Sequence, residues 1–421
     1  MVKLSSVAKV QPGYAFASER FTDSPADIPL VKGENVQQGY VDWKAARYWP
    51  AAELEEFEDF RLRPGDVVVA MDRPWVQAGL KWAYIRATDP DALLVQRVAR
   101  LTAKVGIDQT YLRCLISSAY FAAYLQPIVT GVNVPHISGK QIGDFQIPIP
   151  DAVTQQKIAA VLSTYDDLIA NNQRRIALLE TMAEEIYREW FVRMRFPGFA
   201  GVTMEKGVPQ GWDLVPTVQA FKYFGGATPS KDVARYWNDG AVDWYTPTDI
   251  TAAEGLYLES SADRCSEEGL ESCSANLFPP YSVMMTSRAT IGAIGINLTP
   301  ACTNQGFITC IPNERYPLTY LYHWLKLAKP HFEMLSGGAT FAELTKGTFK
   351  RIRILTPPAG LVEAFNIRVE PMFKQMELLI KGNSRLKATR DALLPRLISG
   401  RLKVDHRDIQ LPPSMRDKVT A

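Results

Sequence analysis

The residues of this chain that could do chemistry are few, and each falls short on type or spacing. Asn276-Leu277-Phe278-Pro279-Pro280-Tyr281 has the outline of an amino-methyltransferase tetrapeptide, but Phe278 stands where an Asp or Asn must accept from the amino group. A turn entering a strand is the reading its residues support. Phe224-Gly225-Gly226 lacks the strand, Gly-x-Gly and helix of a cofactor loop. No Gly-Lys-Ser or Gly-Lys-Thr phosphate loop occurs, which argues against a nucleotide-driven motor. Asp27 with Asp42-Trp43-Lys44 imitates a nuclease metal site, a match that chance supplies in a chain this rich in Asp and Lys. Cys114, Cys265, Cys273, Cys302 and Cys310 form no Cys-x-x-Cys pair, and the four His are scattered. Neither a disulfide framework nor a bound metal is expected.

The strongest pattern is instead structural. Ile158, Leu162, Tyr165, Ile169, Asn172, Ile176, Leu179, Ala183, Ile186 and Trp190 recur in steps of three and four, the seam of a coiled-coil helix. Asp151 or Thr154 can cap its start, and Pro197-Gly198 stops it. Such a stripe must bury itself against another helix. Val362, Phe365, Val369, Met372, Met376, Leu379, Asn383, Leu386, Arg390, Leu393 and Leu397 offer one, with Pro395 expected to kink or end it. An antiparallel pairing that sets Ile158 opposite Leu397 also sets Asn172 opposite Asn383, and polar seam residues fix register. The alternative is two unrelated amphipathic helices, each with Asn at a solvated edge.

The chain has 421 residues, 47% of them apolar, which suggests two or more ordinary globular domains. No apolar leader or bilayer-length apolar run is visible, so a cytoplasmic location is expected. Net charge is +2; residues 1–150 carry 16 basic and 16 acidic side chains, and residues 200–357 carry 13 and 15. Any nucleic acid would have to be held by local patches on a neutral body.

Two stretches follow the same order. Residues 1–150 read as short strands and turns around Asp66-Val67-Val68-Val69-Ala70, an apolar helix from Tyr111 to Leu125, a polar loop from Gly131, and Ile147-Pro148-Ile149-Pro150. Residues 197–357 repeat this with Pro280 to Thr286, a helix from Tyr320 to Lys329, Gly337-Gly338, and Ile352-Arg353-Ile354. Thr110-Tyr111-Leu112 and Thr319-Tyr320-Leu321 differ by 209 positions, Asn172 and Asn383 by 211. A duplicated globule-plus-helix unit with approximate twofold symmetry is expected. The segments are then 1–150, 151–196, 197–357, 358–403 and a tail from 404.

Particular strings carry a resemblance. Gly211-Trp212, Phe224 to Lys231, Tyr236-Trp237, Val242 to Ile250, Thr286-Ser287-Arg288 through Gly292, and Thr303 to Phe307 are similar to target recognition domains of type I restriction-modification specificity subunits. Ile186 to Val192 and Arg390 to Gly400 resemble that family's two conserved regions. The likeness covers nearly the whole chain. The first globule is more divergent, apart from Ile28 to Val36.

The resemblance implies an α+β architecture: two α/β target recognition domains separated by two long antiparallel helices. It implies a sequence-specific DNA-binding subunit without chemistry of its own. Each globule would read one half of a bipartite, asymmetric double-stranded site, with the helix pair as ruler. Two methylation subunits carrying S-adenosylmethionine would dock on it, and restriction subunits with ATP and magnesium can join. No cofactor or metal is expected on this chain itself. Candidate DNA contacts are Thr228, Ser230, Lys231, Arg288, Asn304, Lys346 and Lys350 in the second globule, and Tyr14, Lys32, Arg73, Asn133, His136 and Lys140 in the first. Arg or Asn can specify bases, whereas Lys mostly positions phosphate. A catalytic DNA methyltransferase or nuclease, and a coiled-coil scaffold without base readout, are the competing readings.

Overall fold

Asp151 starts the central helix: its carboxylate accepts from the Thr154 N–H at 3.0 Å and from the Thr154 hydroxyl at 2.6 Å. In this computed structural model, which describes residues 1–76, 79–128, 135–205, 207–253, 255–337, 342–404 and 406–416, the helix runs Ala152–Tyr187. It ends in a π turn, Arg188–Val192, rather than at Pro197. The C-terminal helix is Ala359–Ile398. It continues through Pro395 because Leu394, Leu397 and Ile398 are buried in a core, which outweighs one lost backbone bond.

The chain divides into two units: Met1–Ile169 with Arg385–Ala421, and Ala170–Ser384. In the first, Ile158 and Leu162 of the central helix share a core with Leu394 and Leu397. Asp166 joins Arg390 at 2.7 Å and Arg113 at 3.2 Å. In the second, Ile176, Ala183 and Tyr187 pack with Val362, Phe365, Val369, Phe373, Met376 and Leu379. Asn172 Nδ2 donates to Asn383 Oδ1 at 2.9 Å, as the antiparallel register requires. Toward the C-terminal end of the central helix the seam slips by one residue. Tyr187 and Phe373 are buried, while Ile186 and Met372 are only half-buried. Rings fill the space between the long helices and the helix Leu318–Leu327, where Tyr187 meets Tyr320 and Phe365.

Each unit builds the same sheets. In the first, Ala8–Pro12, Val98–Ala103, Val67–Ala70 and Trp82–Tyr84 form an antiparallel sheet in that order. In the second the order is Tyr223–Gly225, Phe307–Cys310, Val283–Thr286 and Ile294–Asn297, with Tyr257–Leu258 added in parallel. A smaller sheet joins Ile28–Val31 antiparallel to Tyr48–Trp49 and parallel to Leu93–Leu94. Its counterpart joins Val242–Tyr245 to Asp263–Cys265 and Ala301–Thr303 in the same senses. A two-stranded ribbon leads into each long helix: Val2–Lys3 with Gln146–Ile147, and Asp213–Pro216 with Arg353–Thr356. The expected single apolar helices are each broken. Ser118 ends one and caps the next, giving Gln109–Ile116 and Ala119–Leu125; the other gives Leu318–Leu327 and Lys329–Leu335.

The seam yields a test of the amide contact. Asn172→Leu or Asn383→Leu alone should cost about 1–3 kcal/mol, because each leaves one amide unpaired against an apolar side chain. The double replacement should recover much of that loss in denaturant unfolding. Strict additivity of the two changes would show that the amides do not act together.

A second test comes from His323, fully buried against Tyr187, Phe365 and Phe373. Its Nδ1 meets the Thr319 carbonyl at 2.6 Å, and its Nε2 has no hydrogen-bond partner among the described residues. Burial lowers its pKa to about 4, so the folded ring stays neutral where an unfolded one near 6.5 takes a proton. Its contribution is fully present above pH 6.5 and is lost as pH falls toward 4. The loss should be on the order of 3 kcal/mol. His323→Phe should flatten the pH dependence of unfolding over that window; an unchanged slope would assign it to other groups.

Candidate nucleic-acid interface

In the second unit the glycines come first, because they let backbones meet. A Cβ on Gly226 would lie 2.0 Å from the Asn304 carbonyl oxygen, and one on Gly225 would strike the Lys346 side chain at 1.9 Å. The loop after them is braced by two indoles. Trp244 Nε1 donates to the Ala227 carbonyl at 3.0 Å, and Trp237 Nε1 to the Ser230 carbonyl at 3.0 Å. Lys231 Nζ lies 3.5 Å from the Trp237 ring centroid and 2.9 Å from the Asp263 carboxylate. Lys231, Trp237, Asn238, Asp263 and Arg264 line an open cleft of about 590 Å³.

Three further loops join this one. The Thr228 hydroxyl donates to Gln305 Oε1 at 2.7 Å, and Asn304 Oδ1 accepts from the Gly306 N–H at 2.9 Å. The Ser287 N–H donates to the Gly306 carbonyl at 2.8 Å, and the Leu344 N–H to the Ser287 carbonyl at 2.9 Å. Arg288 Nε pairs with Glu343 at 2.9 Å. Thr228, Asn304, Arg288 and Lys346 are therefore gathered by these ties and by the close approach of Lys346 to Gly225, with Ser230 and Lys231 on the adjoining loop. Lys350 is exposed at the end of the short helix Lys346–Phe349.

The first unit uses the same close approach: a Cβ on Gly13 would lie 2.2 Å from the Val95 carbonyl oxygen. The next residue, Tyr14, is exposed with its ring 5.0 Å from both Phe16 and Phe57. Lys32 and Arg73 line a cleft of about 500 Å³ with Phe16, Phe21, Glu34, Asp72, Lys81 and Arg97. Lys32 Nζ sits 2.5 Å from Glu34 and 5.2 Å from the Phe21 ring. Lys81 is buried, bonded to the Gly33 carbonyl, and its pKa is lowered by that burial. His136 Nδ1 meets Asp72, whose other oxygen pairs with Arg97 at 2.6 Å. Lys140 is exposed on the helix Gly139–Gly143, which Ser138 and Gln141 close with a capping box. Asn133 lies outside the described residues.

Sequence reasoning missed Asp72, Lys81 and Arg97 in the first unit, and Trp237, Asp263 and Glu343 in the second. The two tryptophans stood inside the strings that carried the resemblance, but their partners lie 7 and 17 residues away. Asp27 and Asp42 are occupied structurally. Asp27 accepts from the Thr22 hydroxyl at 2.7 Å and the Ala51 N–H at 3.1 Å, and Asp42 caps a helical turn through the Lys44 N–H. Phe278 is buried and bridged to Ala301, as a strand-entering turn requires.

A family profile described as type I restriction modification DNA specificity domain matches residues 1–181 and 209–361. The chain is 33% identical over 183 residues to the type I restriction enzyme MjaIX specificity subunit of Methanocaldococcus jannaschii, covering 41% of this chain and 42% of that protein. It is 24% identical over 330 residues to the HindI specificity subunit of Haemophilus influenzae, covering 64% of this chain and 71% of that protein. The chain thus aligns with about two fifths of the first relative and seven tenths of the second. Its fold is similar to the crystal structure of a type I restriction-modification S subunit from M. genitalium, with a TM-score of 0.51 and 15% identity over 94% of this chain and 95% of that one. With the profile matching well over half of its residues in two stretches, the chain belongs to the type I restriction modification DNA specificity family.

Proposed function

We propose that this chain is the DNA-reading subunit of a type I restriction-modification complex, with each globular part reading one half of a bipartite, asymmetric site. The observation that carries this reading is duplication with divergence: the strand order is the same in both units, while the loops above the sheets hold different side chains. A duplicated scaffold with unlike loops suits two half-sites of unlike sequence. Recognition would be local, since neither globular stretch has a large excess of positive charge.

The long helices act as the ruler. The 36-residue central helix is roughly 50 Å long at 1.5 Å per residue, on the order of 15 base pairs at about 3.4 Å each. They also act as the docking platform for two methylation subunits. Leu178, Met182 and Leu378 are more than half exposed on the helices of the second unit, and Leu168 is exposed in the first. Ile380 is not part of that face; it packs beside Gly255. S-adenosylmethionine would be bound by the methylation subunits, ATP and magnesium by any restriction subunit, and neither by this chain. Among the described residues no helix is long and apolar enough to cross a membrane.

Methylome sequencing of cells carrying this chain with its methylation partner should show adenine methylation at one asymmetric motif made of two short blocks and a fixed unread spacer. The purified chain alone, given S-adenosylmethionine, ATP, magnesium and DNA, should neither methylate nor cut. A continuous motif, or robust methyl transfer by the isolated chain, would overturn the proposal.

A further inference from the structure

Backbone hydrogen bonds alone align the two units at their reading loops. In the first, the Met71 N–H donates to the Arg97 carbonyl at 2.7 Å, and the Ile137 N–H to the Met71 carbonyl at 2.8 Å. The second repeats both ties with Ser287, Gly306 and Leu344. The bridge between Asp72 and His136 corresponds to that between Arg288 and Glu343. The bond from the Ala70 N–H to the Lys81 carbonyl corresponds to that from Thr286 to Ala293. Asp72, Arg73, Lys81, Arg97 and His136 therefore occupy the places of Arg288, Ala289, Ala293, Gly306 and Glu343. Arg73 and Ala289 even share a left-handed backbone, with φ of 43° and 56°.

At these places the charges are exchanged. Arg73, Lys81 and Arg97 of the first cleft stand where the second unit has alanine or glycine, and the second unit's Arg288 stands where the first has Asp72. Backbone ties that side chains do not make can be kept while the side chains are changed for a different ligand surface. Such positions are where two halves of one chain would come to read different sequences.

Arg97 is singled out by three features. It is a non-glycine residue with φ of 68°, a conformation that persists only where the surroundings impose it. Its side chain is mostly exposed, yet it is held by Asp72 at 2.6 Å. That ion pair uses one of its five N–H donors, and no other side-chain hydrogen bond of Arg97 is found among the described residues. A carboxylate this close repels the full charge of a phosphodiester more strongly than the neutral edge of a base. Lys32 and Lys81 are tied to Glu34 and the Gly33 carbonyl. We infer that Arg97, oriented by Asp72, reads a guanine through its O6 and N7 in the half-site of the first unit, with Asp72 as a positioning residue.

The inference rests on the reading that each unit faces a half-site, and the wild-type arm of the experiment tests that separately. The chain, in complex with its methylation partner, is used to select from duplexes randomised in both half-sites and spacer. Wild type should select a bipartite site with guanine at one pair read by the first unit. R97Q should lose roughly 10- to 100-fold discrimination at that pair, and R97K, which keeps donors but not the planar fork, should lose less, with the other half and the spacer unchanged in both. R97K keeps the charge, so its salt dependence should stay near wild type, and R97M serves in place of R97Q if that variant folds poorly. D72N should weaken discrimination at the same pair by less. Retained guanine preference in R97Q or R97M, or an even loss across all sequences with a shallower salt dependence in R97Q, would overturn the inference and make Arg97 a dispensable or phosphate-contacting residue. A wild-type complex that selects no bipartite site would overturn the underlying reading itself.

Discussion

The contact between Asn172 and Asn383 is the constraint on which the pairing of the long helices depends. A seam of apolar side chains alone would accept a slip of one heptad, since leucine packs against leucine in either register. Two amides that must meet do not accept it, because each slipped amide would lose its partner against hydrocarbon. Asn383 is buried and bonded to Asn172 at 2.9 Å, so the penalty for slipping applies. The register in turn decides which rings reach the core of the second unit, where Tyr187 and Phe191 meet Phe365 and Tyr320. In the first unit Asp166, between Arg113 and Arg390, fixes the same register with charge.

The globular parts show how one backbone can serve two surfaces. Their sheets share strand order and sense because pairing depends on backbone groups and on an apolar face, which many side chains can supply. The loops are tied by main-chain hydrogen bonds, so their tips are free to differ. Lys32 and Asn35 of the first unit, with Thr246 and Asp249 of the second, show a further tie kept by unlike side chains. In each pair a side-chain oxygen, Oδ1 of Asn35 or Oδ2 of Asp249, accepts at 2.7 Å from the backbone N–H three residues before it, although the residue types differ.

The seams, the Asn register and the duplicated order of elements were legible in the sequence, because period, offset and chain order are properties of one dimension. The break at Ser118, the π turn after Tyr187 and the slip that buries Tyr187 and Phe373 were not. The break at Ser118 is a local cap, its hydroxyl donating to the Leu115 carbonyl and accepting from the Phe121 N–H, whereas the slip and the run past Pro395 follow core contacts that override local periodicity. The candidate site was legible by loop but not by partner. Thr228, Asn304 and Lys346 do converge, but the indoles that brace the Lys231 loop and the carboxylates that hold Arg97 and Arg288 follow from pairings across strands. Arg97 could have been found by carrying the repeat offset one step further, to Gly306.

In the proposed function the helices are the spacing element between two independently reading parts. One heptad inserted into each helix, after Ile176 and before Leu379, keeps both seams and lengthens the pair by roughly 10 Å. With the loops untouched, a randomised-spacer selection should return the same two half-sites, bound more weakly, with the spacer longer by about three base pairs at 3.4 Å each. Three pairs also turn one half-site by roughly 100° about the DNA axis, on a repeat of 10 to 10.5 pairs, which accounts for the weaker binding. Selection of the original spacer by a lengthened protein that still binds DNA would contradict the account, because something other than the helix pair would then be setting the distance.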